Sequence, residues 1–142
     1  FIAKSPLADA AGWCEVNQHS LQHPRYPEVF ARGDICGTSN AKTAAAVRKQ
    51  VVVVAPNLLA QRTPPPLPLT YDGYGSCPLT VEKGKVILAE FGYAGKLLPT
   101  FPLDPTVARR SAWLLKATLL PWFYWNGMLK GREWLTSLSK VD

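Results

Sequence analysis

Cys77 lies in the run Tyr71-Asp72-Gly73-Tyr74-Gly75-Ser76-Cys77-Pro78-Leu79-Thr80, a polar, glycine-broken setting. Structural cysteines behave as small hydrophobes and favour apolar surroundings, so a lone thiol in such a run reads as placed for chemistry. The reactive form is the thiolate, which needs a cation, an electron-poor ring edge or backbone N–H groups beside it. No histidine adjoins Cys77 in sequence, and a cysteine hydrolase recruiting His19 or His23 through space would lack an orienting group next to either. A free surface cysteine without a role is the bland alternative. The other two thiols read differently: Cys14 beside Trp13 as packing, and Cys36 just after a Gly-Asp pair as the wall of a site. Three cysteines without a Cys-x-x-Cys pair, together with two histidines, disfavour a disulfide framework and a structural zinc site, and no metal is expected.

A second constellation is Val29-Phe30-Ala31-Arg32-Gly33-Asp34 followed by Ala41-Lys42-Thr43-Ala44-Ala45-Ala46. A strand ending in Gly33-Asp34 places a carboxylate at a sheet edge, where it can accept hydrogen bonds from sugar or ribityl hydroxyls. A helix starting after it presents free N–H groups and the positive end of its dipole, suited to negative charge on the N1 and C2 carbonyl edge of a reduced flavin. Lys42 would add a full charge there. Spacing alone is equally compatible with an ordinary β-turn and an alanine-rich helix. Combined with Cys77, the pattern suggests a thiol working against a flavin.

The elements that must position these groups follow from local pattern. Gly12 to Asn17 reads as a short strand, Gln22 to Pro27 as a turn because Pro24 and Pro27 exclude helix, and Glu28 to Ala31 as a short buried strand. A helix is expected from Ala41 to Ala60, capped by Ser39 or Asn40 and kinked or ended by Pro56, with Val51 to Val54 relying on burial to offset weak helix propensity. Thr63 to Leu69, with four prolines, reads as an extended linker and an internal boundary. Leu79 to Val81 and Lys85 to Phe91 flank Glu82-Lys83-Gly84 as a hairpin, with Cys77 just before it. From Thr106 to Leu120 apolar residues recur at helical spacing, with Arg109 and Lys116 opposite, until Pro121 breaks the helix and Trp122 to Trp125 lead into a short segment through Met128 and Leu129.

The chain has 142 residues and 47% hydrophobic composition, enough for one modest core or part of a larger one. It starts at Phe1 without an initiator Met and reads as a fragment or processed piece, and Phe1 to Ala11 lacks the features of a signal peptide. The formal charge is +6 and the pI about 9.4. Four of the five tryptophans, Trp113, Trp122, Trp125 and Trp134, are interleaved with basic residues after Asp104. Indoles and snorkelling cations both favour a lipid headgroup boundary, so an interfacial helix is expected rather than nucleic-acid binding; a packed core or protein interface is the alternative. The longest charge-free stretch, Ala117 to Leu129, is too short and too broken by Pro121 and Gly127 to span a bilayer, which takes about 20 residues.

A set of motifs in order resembles the C-terminal part of sulfide:quinone oxidoreductase, of the pyridine nucleotide-disulfide oxidoreductase superfamily. It comprises Leu21 to Phe30, Gly33-Asp34, Asn40 to Gln50, Tyr71 to Tyr74 with Ser76 to Leu79, Leu88 to Phe91, Phe101-Pro102, Arg109 to Ser111, Leu120 to Trp125 and Gly127 to Leu129. The resemblance implies oxidation of sulfide at a cysteine pair through a persulfide, electron passage through FAD, and reduction of a membrane quinone. Cys77 matches the family's C-terminal redox cysteine. Gly33 and Asp34 would hold the ribityl chain, Lys42, Thr43 and Ala44 the isoalloxazine edge, and Phe91, Tyr93 and Phe101 the quinone entrance. The family's glycine-rich phosphate turn and partner cysteine are absent here, so this piece alone is not expected to hold FAD tightly or turn over.

The expected fold is α+β, the C-terminal part of a two-Rossmann-type flavoprotein. Residues 1–62 would end the FAD domain, 63–103 would carry the linker and the redox-cysteine hairpin, and 104–142 the amphipathic membrane-associating helices. Implied partners are sulfide, a quinone, a thiol acceptor of sulfane sulfur and a membrane surface, with a homo-oligomer possible and no nucleic acid. The implied location is a bacterial plasma membrane or the mitochondrial inner membrane. The alternatives are a type II NADH:quinone oxidoreductase-like flavoprotein, which does not need Cys77, and a non-catalytic membrane-binding or scaffold fragment.

Overall fold

The computed structural model describes residues 1–61 and 69–132 and the backbone of 139–140. After a 3-10 turn at Ile2–Lys4, the first third of the chain is loop, stitched by isolated pairings of Ala8 with Cys14, Cys14 with Cys36 and Gln22 with Phe30. The strands expected at 12–17 and 28–31 contract to these single bridges. The Asp9 carboxylate accepts from Ala11 and Trp13 N–H, both at 2.9 Å, and winds the chain into a turn in place of a ladder. The turn expected from Gln22 to Pro27 is present, held by His23 Nδ1 accepting from the N–H groups of Arg25 at 3.0 Å and Tyr26 at 3.2 Å.

Helix α1 runs Ala44–Ala60, starting three residues later than expected. Thr43 is its cap, with extended backbone and Oγ1 accepting from Ala46 N–H at 3.2 Å. Ser39 and Asn40 are spent elsewhere: Ser39 donates to Gln18 Oε1 at 2.7 Å, and the Asn40 amide donates to the Tyr71 hydroxyl. Thr43→Ala should cost about 1 kcal/mol of stability, read as a lower urea midpoint with unchanged slope. Pro56 does not end the helix, which continues to Ala60. The last turn is anchored by buried Asn57, whose amide donates to Leu69 C=O at 2.9 Å and accepts from Leu69 N–H at 3.2 Å. This side chain mimics a strand neighbour for Leu69 and offsets the helical hydrogen bond that Pro56 cannot make.

Strand β1, Leu69–Thr70, pairs antiparallel with Ser139–Lys140. Most of the expected proline linker lies outside the described residues. Strands β2, Gly75–Glu82, and β3, Lys85–Phe91, form the expected antiparallel hairpin, which begins earlier than its sequence signal. Cys77 therefore sits inside β2, opposite Ala89, and not in a loop before the hairpin. Pro78 is tolerated there because a two-stranded sheet leaves each strand an unpaired edge.

Arg109 exchanges both backbone hydrogen bonds with Val86 of β3, at 2.9 and 3.2 Å, so its backbone is extended and the last helix cannot start at Thr106. That helix comprises α2, Arg110–Leu114, a π-helical turn, Leu115–Leu119, and α3, Leu120–Asn126. Leu115 and Leu120, at the junctions, keep right-handed helical angles, so Pro121 does not break it. The wide π-helical turn lies just where proline withholds a donor and crowds the preceding carbonyls, and it absorbs the mismatch. A 3-10 turn at Met128–Lys130 follows. The main core gathers Cys14, Leu21, Cys36, Val53, Tyr71 and Tyr74, drawing on residues either side of 62/63. The described fold is a small α+β arrangement with two two-stranded antiparallel sheets.

Candidate functional site

A cavity of about 500 Å3 opens between the N-terminal turn of α1, the hairpin and the last helix. Thr43, Ala44, Ala45 and Arg48 line it from α1, Ser76, Cys77 and Pro78 from β2, and Leu88 and Glu90 from β3. Phe101, Leu115, Leu120, Phe123 and Met128 close it with apolar surface. Of the residues singled out from sequence, Cys77, Thr43, Ala44 and Phe101 thus share one space. Thr43 explains the meeting: its Oγ1 accepts from Ala46 N–H inside α1 and, at 3.4 Å, from Ser76 N–H, next to the half-buried Cys77. Ala44 and Ala45, the first helical residues, carry N–H groups that no carbonyl of their own helix can reach, and their small side chains leave room for a planar ring. These features fit the negatively charged edge of a reduced flavin.

The other singled-out residues do not line this cavity. Gly33, at φ +70°, opens the 3-10 turn Gly33–Ile35, and its N–H donates to buried Gln50 Oε1 at 2.7 Å, which ties the exposed Asp34 turn to α1. Lys42 Nζ donates to the Cys36 carbonyl and lies 4.0 Å from the Trp13 ring centroid. Phe91 is opposite Gly75 at the end of β3. Tyr93 donates its hydroxyl to the Gln18 carbonyl and meets Tyr71 and His19 edge to face, and burial pushes its phenol well above the usual range. Cys14 and Cys36 are buried, and burial raises both thiols, which opposes thiolate formation.

The sequence reading missed Glu90, which is 3% exposed. It accepts from Tyr74 O–H at 2.5 Å, from Thr100 N–H at 3.0 Å and from the Thr100 hydroxyl. Burial, followed by the bond to Glu90, raises the Tyr74 phenol. A signal was present: Glu90 shares the period-two face of Val86 and Leu88, a carboxylate at a position that pattern reserves for core. Glu90, Leu88, Phe101 and Leu115 also border a second cavity of about 230 Å3, lined further by Leu103, Arg109 and Ser111. Among the described residues, no cluster of side chains is suited to a metal ion.

Leu114, Trp122, Trp125 and Leu129 are exposed, as is Leu119 at the rim of the smaller cavity, while Lys116 reaches to the Pro78 carbonyl and Thr80 Oγ1, both at 2.8 Å. Trp134 lies outside the described residues. Among the described residues no helix is long and apolar enough to cross a membrane.

No family model matches the chain. It is 44% identical over 131 residues to the mitochondrial sulfide:quinone oxidoreductase of Mus musculus, covering 92% of this chain and 29% of that protein. The resemblance read from the motifs is thereby shown. Mitochondrial sulfide:quinone oxidoreductases of Dictyostelium discoideum, 42% identical over 132 residues, and Schizosaccharomyces pombe, 41% over 146, match 92% and 99% of the chain. The chain spans only 29% to 32% of the length of these sulfide:quinone oxidoreductases. A chain from the cryo-EM structure of the Tetrahymena thermophila mitochondrial ATP synthase matches with a TM-score of 0.77 and 22% identity. That match covers 87% of this chain and 30% of that one, a likeness of fold alone.

Proposed function

We propose that this chain is the cysteine-bearing portion of an FAD-dependent sulfide:quinone oxidoreductase. The observation that carries the reading is the single cavity in which Cys77, the N-terminal turn of α1 and a largely apolar wall meet. Bound FAD would supply the two-electron relay between sulfide and quinone. Cys77 and a second cysteine would start as a disulfide: hydrosulfide would break the S–S bond and form a persulfide on one sulfur, the other would leave as a thiolate whose electron pair passes to FAD, and the outer persulfide sulfur would go to a thiol acceptor. The Ala44 and Ala45 N–H groups would stabilise anionic charge at the flavin edge, with Thr43 fixing their position relative to Cys77. Asp34, on its exposed Gly33 turn, is the assigned ribityl contact. Lys42 can serve the flavin edge only by leaving the Cys36 carbonyl and Trp13. For quinone, the apolar surface of Phe101 with Leu115, Leu120 and Phe123 offers stacking area and a dry site, whereas Phe91 and Tyr93 would act from behind it.

The exposed leucines and indoles of the last helix suit the headgroup boundary of a membrane, the mitochondrial inner membrane or a bacterial plasma membrane. Replacing both Trp122 and Trp125 by Ala should weaken vesicle binding by about tenfold or more, measured by co-sedimentation. The functional reading is tested on the complete enzyme carrying this chain: flavin absorbance and sulfide-dependent quinone reduction are expected. Reduction driven by NADH and indifferent to sulfide would replace it with a type II NADH:quinone oxidoreductase-like function.

A further inference from the structure

We infer that Glu90 is the proton donor to the quinone, an assignment that rests on the function proposed above. Three observations converge on it. Glu90 is buried at the border of both cavities, so a ligand beside Cys77 and solvent entering through the smaller cavity reach the same carboxyl group. Its contacts are asymmetric: Oε1 accepts from both the Tyr74 and Thr100 hydroxyls, whereas Oε2 accepts only from Thr100 N–H and retains a place for a proton. Among the described residues, no ion pair involves it.

The chemistry balances with two electrons and two protons. Reduction of a quinone, the oxidant, to quinol takes both electrons and both protons; bound reduced FAD would supply the electron pair and one proton, which leaves one proton to come from elsewhere. Glu90 supplies it: its O–H bond breaks as an O–H bond forms at a quinone oxygen. The resulting carboxylate is held by Tyr74 O–H, Thr100 N–H and Thr100 O–H until water in the smaller cavity, past Ser111 and Arg109, returns a proton. The charged or titratable groups facing this path are Arg48, Tyr74, Cys77, Asp104, Arg109 and Tyr124.

The test separates the two half-reactions of the complete FAD-loaded enzyme by stopped flow, with a short-chain quinone as oxidant. Glu90→Gln should slow flavin reoxidation by about 100-fold and leave reduction by sulfide within about twofold. Redox-difference infrared spectra should show a carboxylic acid C=O band that moves on 13C-glutamate labelling and disappears in Glu90→Gln. If that variant fails to fold, Tyr74→Phe must shift the band. Reoxidation of Glu90→Gln at the wild-type rate, or a wild-type spectrum without a carboxylic acid band, overturns the assignment while the sulfide reading stands. Failure of sulfide to reduce the flavin of the unaltered enzyme overturns both.

Discussion

Cys77→Ser in the complete enzyme should abolish reduction of the flavin by sulfide, lowering its rate by roughly 10^4-fold or more, the scale on which loss of a nucleophile is felt. Flavin binding and the melting temperature should remain close to wild type, because serine is nearly isosteric and Cys77 is only half-buried on an exposed-edge strand opposite Ala89. The residue faces the cavity shared with Thr43 and Ala44, so the loss would come from the missing thiolate and not from a displaced strand. Rapid mixing with sulfide under anaerobic conditions reads the step directly. Sulfide reducing the Cys77→Ser flavin at the wild-type rate would remove this thiol from the mechanism.

The largest effect on folding is expected at Gly73. Its φ is +80°, and a Cβ there would lie 2.5 to 2.7 Å from three atoms of the Tyr93 ring. The ring cannot swing away cheaply: its hydroxyl is bound to the Gln18 carbonyl and its face and edge meet Tyr71 and His19. Backbone strain and overpacking act together, so Gly73→Ala should destabilise by about 3 kcal/mol. Gly84, in the hairpin turn at φ +79°, has no neighbour within 4 Å of its Cβ direction. Gly84→Ala therefore carries the strain alone, about 1 kcal/mol. Equal urea midpoints for the two variants would show that the Tyr93 contact is soft. The Gly73 turn is also where the chain leaves the core at Tyr71 and enters β2, so its loss would reach Cys77 through the Asp72 Oδ1 bond to Tyr74 N–H at 3.0 Å.

Much of the local architecture was legible in residue order. The body of α1, the hairpin and its turn, and the last helix carry their signals within a few residues of where they form. Two of the errors share one cause, competition from residues distant in sequence, and the third is local. Ser39 and Asn40 are good caps in isolation, but Tyr71 and Gln18 compete for them and the cap passes to Thr43. The helix expected from Thr106 begins only at Arg110 because Val86, far away in sequence, claims the Arg109 backbone. Pro121 looks like a stop until a π-helical turn upstream accommodates it.

The candidate site divides in the same way. That Cys77 is the candidate thiol, and that the chain resembles sulfide:quinone oxidoreductases, could be read from residue types and their order, because residue chemistry and motif spacing are written locally. Which groups stand beside that thiol could not. Lys42, six residues from Cys36, folds back onto its carbonyl, while Arg48 and Glu90 arrive from other elements. Such neighbours are chosen by packing among residues distant in sequence, where burial and hydrogen-bond competition outweigh the preferences of any single segment.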